Sequence, residues 1–293
     1  MSVKERDPHT GYLTTGHEWN GIKELNTPVP RPVYFFLITT ALFSIVYWVL
    51  MPAWPLGWTY TKGLLGIDQR TTVSAALKDA ELDRAAWTTR IANENYQAIQ
   101  ADPHLMAIVR QTGRTLFGDN CAACHGFNAK GGKGYPDLTA SSWLWGGDPE
   151  TIAETIRVGI NSTHPNTRVA QMLAFGRDQI LQRPDVENVV SYVQSLSGAP
   201  ASKQLPPQAL EAGKAVFAAN CASCHGDDGK GKTELGTPDL TDNVWIYGGD
   251  RQSIYKTVWS GRQGHMPTWE SRLGPVERKI LALYLADLGA RRP

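Results

Sequence analysis

No cysteine in this chain is free to form a structural disulfide. All four lie inside two pentads, Cys121-Ala122-Ala123-Cys124-His125 and Cys221-Ala222-Ser223-Cys224-His225, among 293 residues. The same arithmetic leaves no lone thiol to serve as a nucleophile. Net charge is nearly absent, at +1, so there is no strongly basic field to hold nucleic acid. Charged residues make up 19% and hydrophobic ones 42%, the proportions of a folded chain and not of a disordered one. Methionine is scarce, with five in all. Long apolar runs are scarcer still: one stretch stands out, at 33–50.

A CxxCH pentad is the attachment signature of a c-type haem. Its two thiols add to the vinyl groups and the adjacent His meets the iron. A zinc site would need four ligands close together. Here the pentads lie 100 positions apart, each followed by its own His. A thioredoxin-type CxxC would have no use for that His twice. Two covalently bound haem c groups are expected, at Cys121, Cys124 and His125 and at Cys221, Cys224 and His225.

The 33–50 run, VYFFLITTALFSIVYWVL, has 18 residues and no charge. At helical rise it is about 27 Å long, close to a bilayer's hydrocarbon core. Tyr34, Tyr47, Trp48, Trp54 and Trp58 lie near its ends like an interfacial belt. Pro32 suits a first helical turn, and Pro52 and Pro55 discourage continuation. About 30 polar residues precede the run and no small-residue cleavage site follows it, which favours a retained anchor over a signal peptide. Lys4, Arg6, Lys23 and Arg31 precede it, against Lys62 and Arg70 shortly after, a lean toward an inside N-terminus. Because c-type haems are attached on the outer face of the bacterial inner membrane, the pentads are expected in the periplasm.

The C-terminal part is a duplication. GRTLFGDNCAACHG (113–126) aligns with GKAVFAANCASCHG (213–226) at an offset of 100. Pro136-Asp137-Leu138, Trp143 and Gly146-Gly147-Asp148 recur as Pro238-Asp239-Leu240, Trp245 and Gly248-Gly249-Asp250 at 102, so the second haem loop gained two residues. Each repeat predicts a helix entering the pentad, a Gly/Lys-rich loop, a helix near 149–158 or 251–260, and an apolar last helix containing Tyr192 or Tyr284. Gly113 and Gly213 allow the first and last helices of a repeat to approach closely, with Phe117 or Phe217 and the Tyr filling the crossing. The expected organisation is an N-terminal segment at 1–32, a transmembrane helix at 33–52, a helical spacer at 53–107, cytochrome c domain 1 at 108–199, a Pro-rich linker at 200–208 and cytochrome c domain 2 at 209–293.

An electron carrier closes both axial sides of its iron, whereas a peroxidase leaves one open. Of the five Met, Met172 and Met266 fall between the middle and last helices, one in each repeat. Met266 is stiffened by Pro267; Met172 lacks a following Pro and sits in a longer loop. The simplest pairing puts Met172 on the His125 haem and Met266 on the His225 haem, although the repeats could exchange them. His164 and His265 are imidazole alternatives. Lys130, Lys133, Lys230 and Lys232 flank the haem loops, more as ordinary solvated lysines than as steering charges.

The pattern resembles the class I cytochrome c fold, twice. Trp19-Asn20-Gly21-Ile22-Lys23-Glu24-Leu25-Asn26-Thr27-Pro28-Val29-Pro30-Arg31 further resembles the segment that opens the di-haem subunit, CcoP or FixP, of cbb3-type cytochrome c oxidases. Pro52-Ala53-Trp54-Pro55-Leu56 and Tyr60-Thr61-Lys62-Gly63-Leu64-Leu65-Gly66 resemble the same family. Asn20, Asn26 and the Thr27-Pro28-Val29 run depart from its usual pattern, away from any haem ligand. The resemblance implies a mainly α protein with one N-terminal transmembrane helix and two tandem cytochrome c domains. It implies electron transfer from a donor cytochrome c to the mono-haem subunit, and thence to the catalytic haem-copper subunit of a proton-pumping oxidase. It implies no catalytic site of this chain's own and no nucleic-acid partner. The competing readings are the cytochrome subunit of a periplasmic dehydrogenase, or a di-haem peroxidase with a releasable axial ligand.

Overall fold

The computed structural model describes residues 5–198 and 205–290, so most of the expected 200–208 linker lies outside the described residues. The chain divides into two compact units, Met1–Asp83 and Arg84–Pro293.

The first unit begins with a hairpin that the helical expectation did not include: β1 (Thr14–Trp19) antiparallel to β2 (Ile22–Leu25). The turn is Asn20-Gly21, with φ of 51° and 87°. Two successive positive φ values fit the strand twist, and Asn-Gly is the pair that tolerates them. The apolar run forms α1 (Arg31–Leu50), with Pro32 in its first turn and no buried residue along its length. Its 20 residues are long and apolar enough to cross a membrane. Leu64 and Leu65 return to donate their N–H groups to the Val49 and Leu50 carbonyls at 2.9 and 3.1 Å. These are terminal carbonyls with no partner inside a helix, so the 60–66 segment completes the end of α1. The boundary between the units falls within α2 (Gln69–Asn93), where Ile91 is the one buried residue.

The second unit continues with α3 (Tyr96–Ala101), α4 (Pro103–Asn120), α5 (Ala122–His125), α6 (Pro149–Val158), α7 (Arg183–Leu196), α8 (Pro207–Asn220), α9 (Ala222–His225), α10 (Arg251–Ser260) and α11 (Pro275–Ala290). The expected middle helices are α6 and α10. The repeated Gly-Gly-Asp proves to be a helix start. Asp148 accepts from the Thr151 N–H at 2.8 Å and Asp250 from the Ser253 N–H at 3.0 Å, two side-chain N-caps. The two residues gained in the second haem loop are taken up by a short 3-10 turn, Thr233–Leu235, within the loop closed by Lys232 and Thr237.

The last helices do not pack where the repeats suggest. Gly113 of α4 faces Tyr284 of α11, with the Tyr Cβ 2.6 Å from where a Gly113 side chain would begin. Gly213 of α8 faces α7, with the Tyr192 Cβ at 2.8 Å. The Phe117–Tyr284 and Tyr192–Phe217 ring pairs, at 6.1 and 5.3 Å, both cross between repeats. One core therefore joins α4, α5 and α6 to α11 through Phe117, Ile152, Ile156, Ile280 and Leu281. The other joins α8, α9 and α10 to α7 through Val186, Val189, Val190, Phe217 and Ile254. The expectation that each repeat closes on its own last helix is corrected. Only residues 197–206 separate α7 from α8, and neighbours in sequence tend to pack as neighbours in space. Polar contacts follow the exchange: Arg110 of α4 grips Asp287 of α11 with two bonds of 2.9 and 3.0 Å, and Arg251 of α10 donates to Ser191 of α7 at 2.8 Å.

Candidate haem sites

Each pentad forms a tight turn at the end of a helix. The Cys121 N–H still bonds the Phe117 carbonyl at 2.8 Å, and His125 donates its N–H to Cys121 at 3.0 Å. Gly126, at φ 72°, then ends the turn. The second pentad repeats this at Phe217, Cys221, His225 and Gly226. A separation of three along one helical turn puts both Sγ atoms of a pentad on neighbouring positions, as attachment to one planar group requires.

His125 Nδ1 lies 3.3 Å from the Pro136 carbonyl, and His225 Nδ1 lies 3.3 Å from that of Pro238. A carbonyl can only accept, so Nδ1 carries the proton and Nε2 keeps its lone pair for a metal. The recurrent Pro-Asp-Leu thus supplies the carbonyl that orients each imidazole. Burial pulls both imidazoles below the ordinary His range, with the carbonyl bond opposing. They stay neutral, the form that ligates. Burial also pushes the Cys121 and Cys221 thiols up to about 11. Among the described residues, no group of three or more His, Cys, Asp or Glu side chains could hold a metal ion.

A cavity of about 400 Å³ lies beside His125. Its walls include Trp143, Ile156 and Ile160 from the first repeat, and Met266 and Leu285 from the second. Met266 thus packs into the core that contains Cys121 and Ala122, and Met172 into the core that contains Cys221 and Ala222. The simplest Met pairing is therefore corrected: Met266 faces the His125 site, and Met172 belongs to the His225 side. The backbone shows how. Met266 and Ile160 exchange two hydrogen bonds of 2.9 Å, and Met172 and Arg262 exchange two of 2.8 and 3.0 Å. Each Met strand is paired to the end of the other repeat's middle helix. Gly159 and Gly261 precede those partners at φ 70°, and a Cβ on either would run into the backbone beside the opposing Met.

The imidazole alternatives are engaged elsewhere. His164 bonds Glu270 at 2.9 Å through Nε2 and accepts the Asn166 N–H at 3.0 Å through Nδ1. His265 Nδ1 lies 2.9 Å from the Asn161 carbonyl. Lys232 folds back to donate to the Ser223 carbonyl at 2.8 Å, and Lys230 lines the cavity. Sequence reasoning passed over Trp145 and Ile160 in the wall, although Trp145 stands directly before the repeated Gly-Gly-Asp. The cavity is also bordered by Pro238, Val244 and Ile246 of the second haem loop, and Gly134 donates to the Ile246 carbonyl at 2.7 Å. The two haem loops share a wall.

Two pentads, two oriented imidazoles, Met266 on the wall facing His125, Met172 packed against the core of the second pentad and an apolar N-terminal helix define a tandem c-type cytochrome. Comparison with known proteins gives the same class and narrows it. Residues 11–58 match the N-terminal domain of cytochrome oxidase-cbb3, FixP; residues 111–197 match cytochrome c; residues 208–285 match cytochrome c oxidase, cbb3-type, subunit III. The cbb3-type cytochrome c oxidase subunit FixP of Bradyrhizobium sp. (strain ORS 278) is 45% identical over 285 residues, 97% of each chain. The subunit CcoP of Azospirillum brasilense is 41% identical over 296 residues, 99% of each. That of Cereibacter sphaeroides is 39% identical over 291 residues, again 99% of each. The chain belongs to the FixP/CcoP family of cbb3-type cytochrome c oxidase subunits.

Proposed function

We propose that this chain is the membrane-anchored di-haem electron carrier of a cbb3-type cytochrome c oxidase, with ligands exchanged between its repeats. One haem is attached at Cys121 and Cys124 and held by His125 and Met266. The other is attached at Cys221 and Cys224 and held by His225 and Met172. The observation that carries the reading is that His125 and Met266 meet at one cavity, although they come from different repeats.

Haem c supplies a one-electron iron couple when bound. The chain's own residues fix its surroundings. The Pro136 and Pro238 carbonyls hold the proton on Nδ1 of each imidazole, which turns Nε2 toward the metal and raises its basicity. The paired Met strands keep each sulfur in place. Apolar side chains such as Ile156 and Ile160 exclude water, which raises a haem's potential. His125 and Met266, and in the other site His225 and Met172, would hold the two irons, and a group held so would carry electrons and leave oxygen reduction to another subunit. The two haem loops share a wall, where Gly134 donates to the Ile246 carbonyl, so the two sites adjoin. The domains run from 108 to 199 and from 209 to 293 in sequence, but each site closes with the other's last helix.

The named relatives support the wider role. Electrons enter from a donor cytochrome c and leave through a mono-haem cytochrome c subunit to the catalytic, proton-pumping haem-copper subunit. Helix α1 crosses the bacterial inner membrane with the N-terminus cytoplasmic and the haem domains periplasmic. Solubilised membranes should yield the chain with two further haem-bearing subunits and two covalent haems of its own. Isolation with a dehydrogenase, or rapid peroxide turnover by the chain alone, overturns this role. The ligand exchange is read separately. In a chain with Cys221 and Cys224 changed to Ala, Met266→Ala removes the ferric His/Met charge-transfer band and Met172→Ala leaves it. The opposite result refutes the exchange.

A further inference from the structure

Helix α1 runs into a loop whose surface does not suit water. Between Arg31 and Asp68 the chain carries one charge, Lys62. Within that stretch Trp54, Leu56, Trp58, Leu64 and Leu65 are all exposed, Trp58 wholly and Leu64 by 78%. Single exposed apolar side chains are ordinary, but several on one short loop mark a surface that meets something.

The loop is held in one shape. Thr61 Oγ1 accepts the Ala53 and Trp54 N–H groups at 3.3 and 2.9 Å, and the Thr61 N–H returns to the Trp54 carbonyl at 2.9 Å. The Met51 N–H bonds the Tyr47 carbonyl at 2.8 Å, and the Leu56 N–H bonds that of Thr59 at 2.6 Å. Pro52 and Pro55 have no N–H to place. Every backbone donor from 51 to 56 is therefore bonded within this segment or absent. Gly63, at φ 69°, lies so close to the helix end that a Cβ there would stand 2.6 and 2.7 Å from the Leu50 and Met51 carbonyl carbons. The Trp54 ring packs 5.0 Å from that of Trp48 on α1. With Leu64 and Leu65 bonded to the last carbonyls of α1, the loop and the helix end are one piece.

Those bonds decide between possible surroundings. Irregular backbone enters an apolar layer only where its polar groups are satisfied, as the donors from 51 to 56 are. Indole and leucine side chains beside a lone lysine match the boundary between lipid tails and headgroups. The rings rest at that boundary, and an ammonium on a flexible stem reaches the phosphates. Continuity gives the place: α1 is long and apolar enough to cross a membrane, so its end stands at one bilayer surface, and the loop bonded to that end stands there too. The polar chain resumes at Asp68, which accepts the Tyr60 hydroxyl at 2.7 Å.

We propose that residues 52–67 form a second, non-spanning membrane element, seated in the headgroup layer of the leaflet at which α1 ends. Trp54, Leu56, Trp58, Leu64 and Leu65 enter the lipid and Lys62 meets lipid phosphate. This rests on the reading of α1 as a membrane-spanning helix. The loop sets the depth of α1. Sliding the helix inward would draw Lys62 and Asp68 into the tails, and sliding it outward would bring the indoles into water.

The test uses the full chain in its complex, in nanodiscs of phosphatidylethanolamine and phosphatidylglycerol. With both pentads carrying haem, all four native cysteines are occupied, so one added thiol alone takes a nitroxide label. Trp58→Cys and Leu64→Cys replace exposed side chains, which spares the fold. Leu42→Cys within α1 and Lys256→Cys on the exposed side of α10 are the references. Collisions with oxygen report lipid, and collisions with a nickel chelate report water. The oxygen-to-nickel ratio at 58 and 64 should be several-fold above that at 256 and below that at 42. Nickel-favoured collisions at 58 or 64 refute the proposal by placing the loop in water. Exclusion of both reagents at either position refutes it as well, by placing the loop against another subunit. Nickel-favoured collisions at 42 sink the reading of α1 itself and are recognised as such.

Discussion

Replacing Tyr284 with Ala should damage the His125 site, although Tyr284 and His125 belong to different repeats. Tyr284 is 9% exposed, and its ring packs 6.1 Å from Phe117, in the helix that enters the first pentad. Truncating a buried aromatic in a core costs about 3–5 kcal/mol. The area route agrees: a buried aromatic hides about 150–250 Å², worth about 4–6 kcal/mol as an upper figure at ~25 cal/mol per Å². We take about 3–4 kcal/mol. With a urea slope of about 2 kcal/mol/M the midpoint falls by about 1.5–2 M. Tyr192, the counterpart against Phe217, is only partly buried, so Tyr192→Ala costs less, about 2 kcal/mol by the same scale. The assay uses chains that retain a single pentad, unfolded in urea and followed by haem absorption and the ferric charge-transfer band. Tyr284→Ala should shift the chain whose haem sits at His125 and spare the local site of the chain whose haem sits at His225. Tyr192→Ala should do the reverse. Should Tyr284→Ala perturb the His225 haem first, the exchanged packing is wrong.

Other outcomes follow from named contacts. Gly159→Ala puts a side chain at φ 70° against the Pro267 and Thr268 backbone, 2.8 Å away, at a cost of about 1–3 kcal/mol. It should weaken the charge-transfer band of the His125 haem while leaving the other intact, as read in single-haem chains. Arg110→Ala breaks a two-bond ion pair to Asp287, but Arg110 is 38% exposed, so the loss stays within about 1 kcal/mol by urea titration. Glu270 and Glu154 are both held below their ordinary value of 4.5, chiefly by hydrogen bonds to Arg157. Depressed carboxylates stabilise the fold above their unfolded value and lose that contribution as pH falls through the folded one. The thermal midpoint of Arg157→Gln should therefore trail that of the unchanged chain by a constant margin from pH 8 to 5. That margin should shrink on further acidification; a gap that closes near neutrality would refute the assignment.

The two pentads, the apolar run and the duplication could be read directly, because each is a local pattern whose chemistry depends on near neighbours. The Asn20-Gly21 turn is equally local, a pair that takes two successive positive φ values between β1 and β2. The Gly-Gly-Asp repeats were visible as matches, but their work as helix caps needed the side-chain geometry. Trp145 and Arg168 carried no motif that set them apart from ordinary packing and surface residues. Trp145 Nε1 and Arg168 Nε are buried with no hydrogen-bond partner among the described residues, a property that exists only once the surrounding atoms are placed.

By itself the sequence determined that there are two CxxCH pentads, that each carries its own imidazole, that Met172 and Met266 stand in comparable places, and that one long run, 33–50, is without charge. It could not determine which Met and which last helix serve which pentad. Duplication is the physical reason. Gly113 and Gly213 offer similar grooves, Tyr192 and Tyr284 similar ridges, and either combination buries similar apolar surface. With side-chain pattern neutral, the choice passes to the tertiary structure. There α7 packs against α8, the Arg110–Asp287 pair joins α4 to α11, and the Ile160–Met266 and Arg262–Met172 strands lock the exchange.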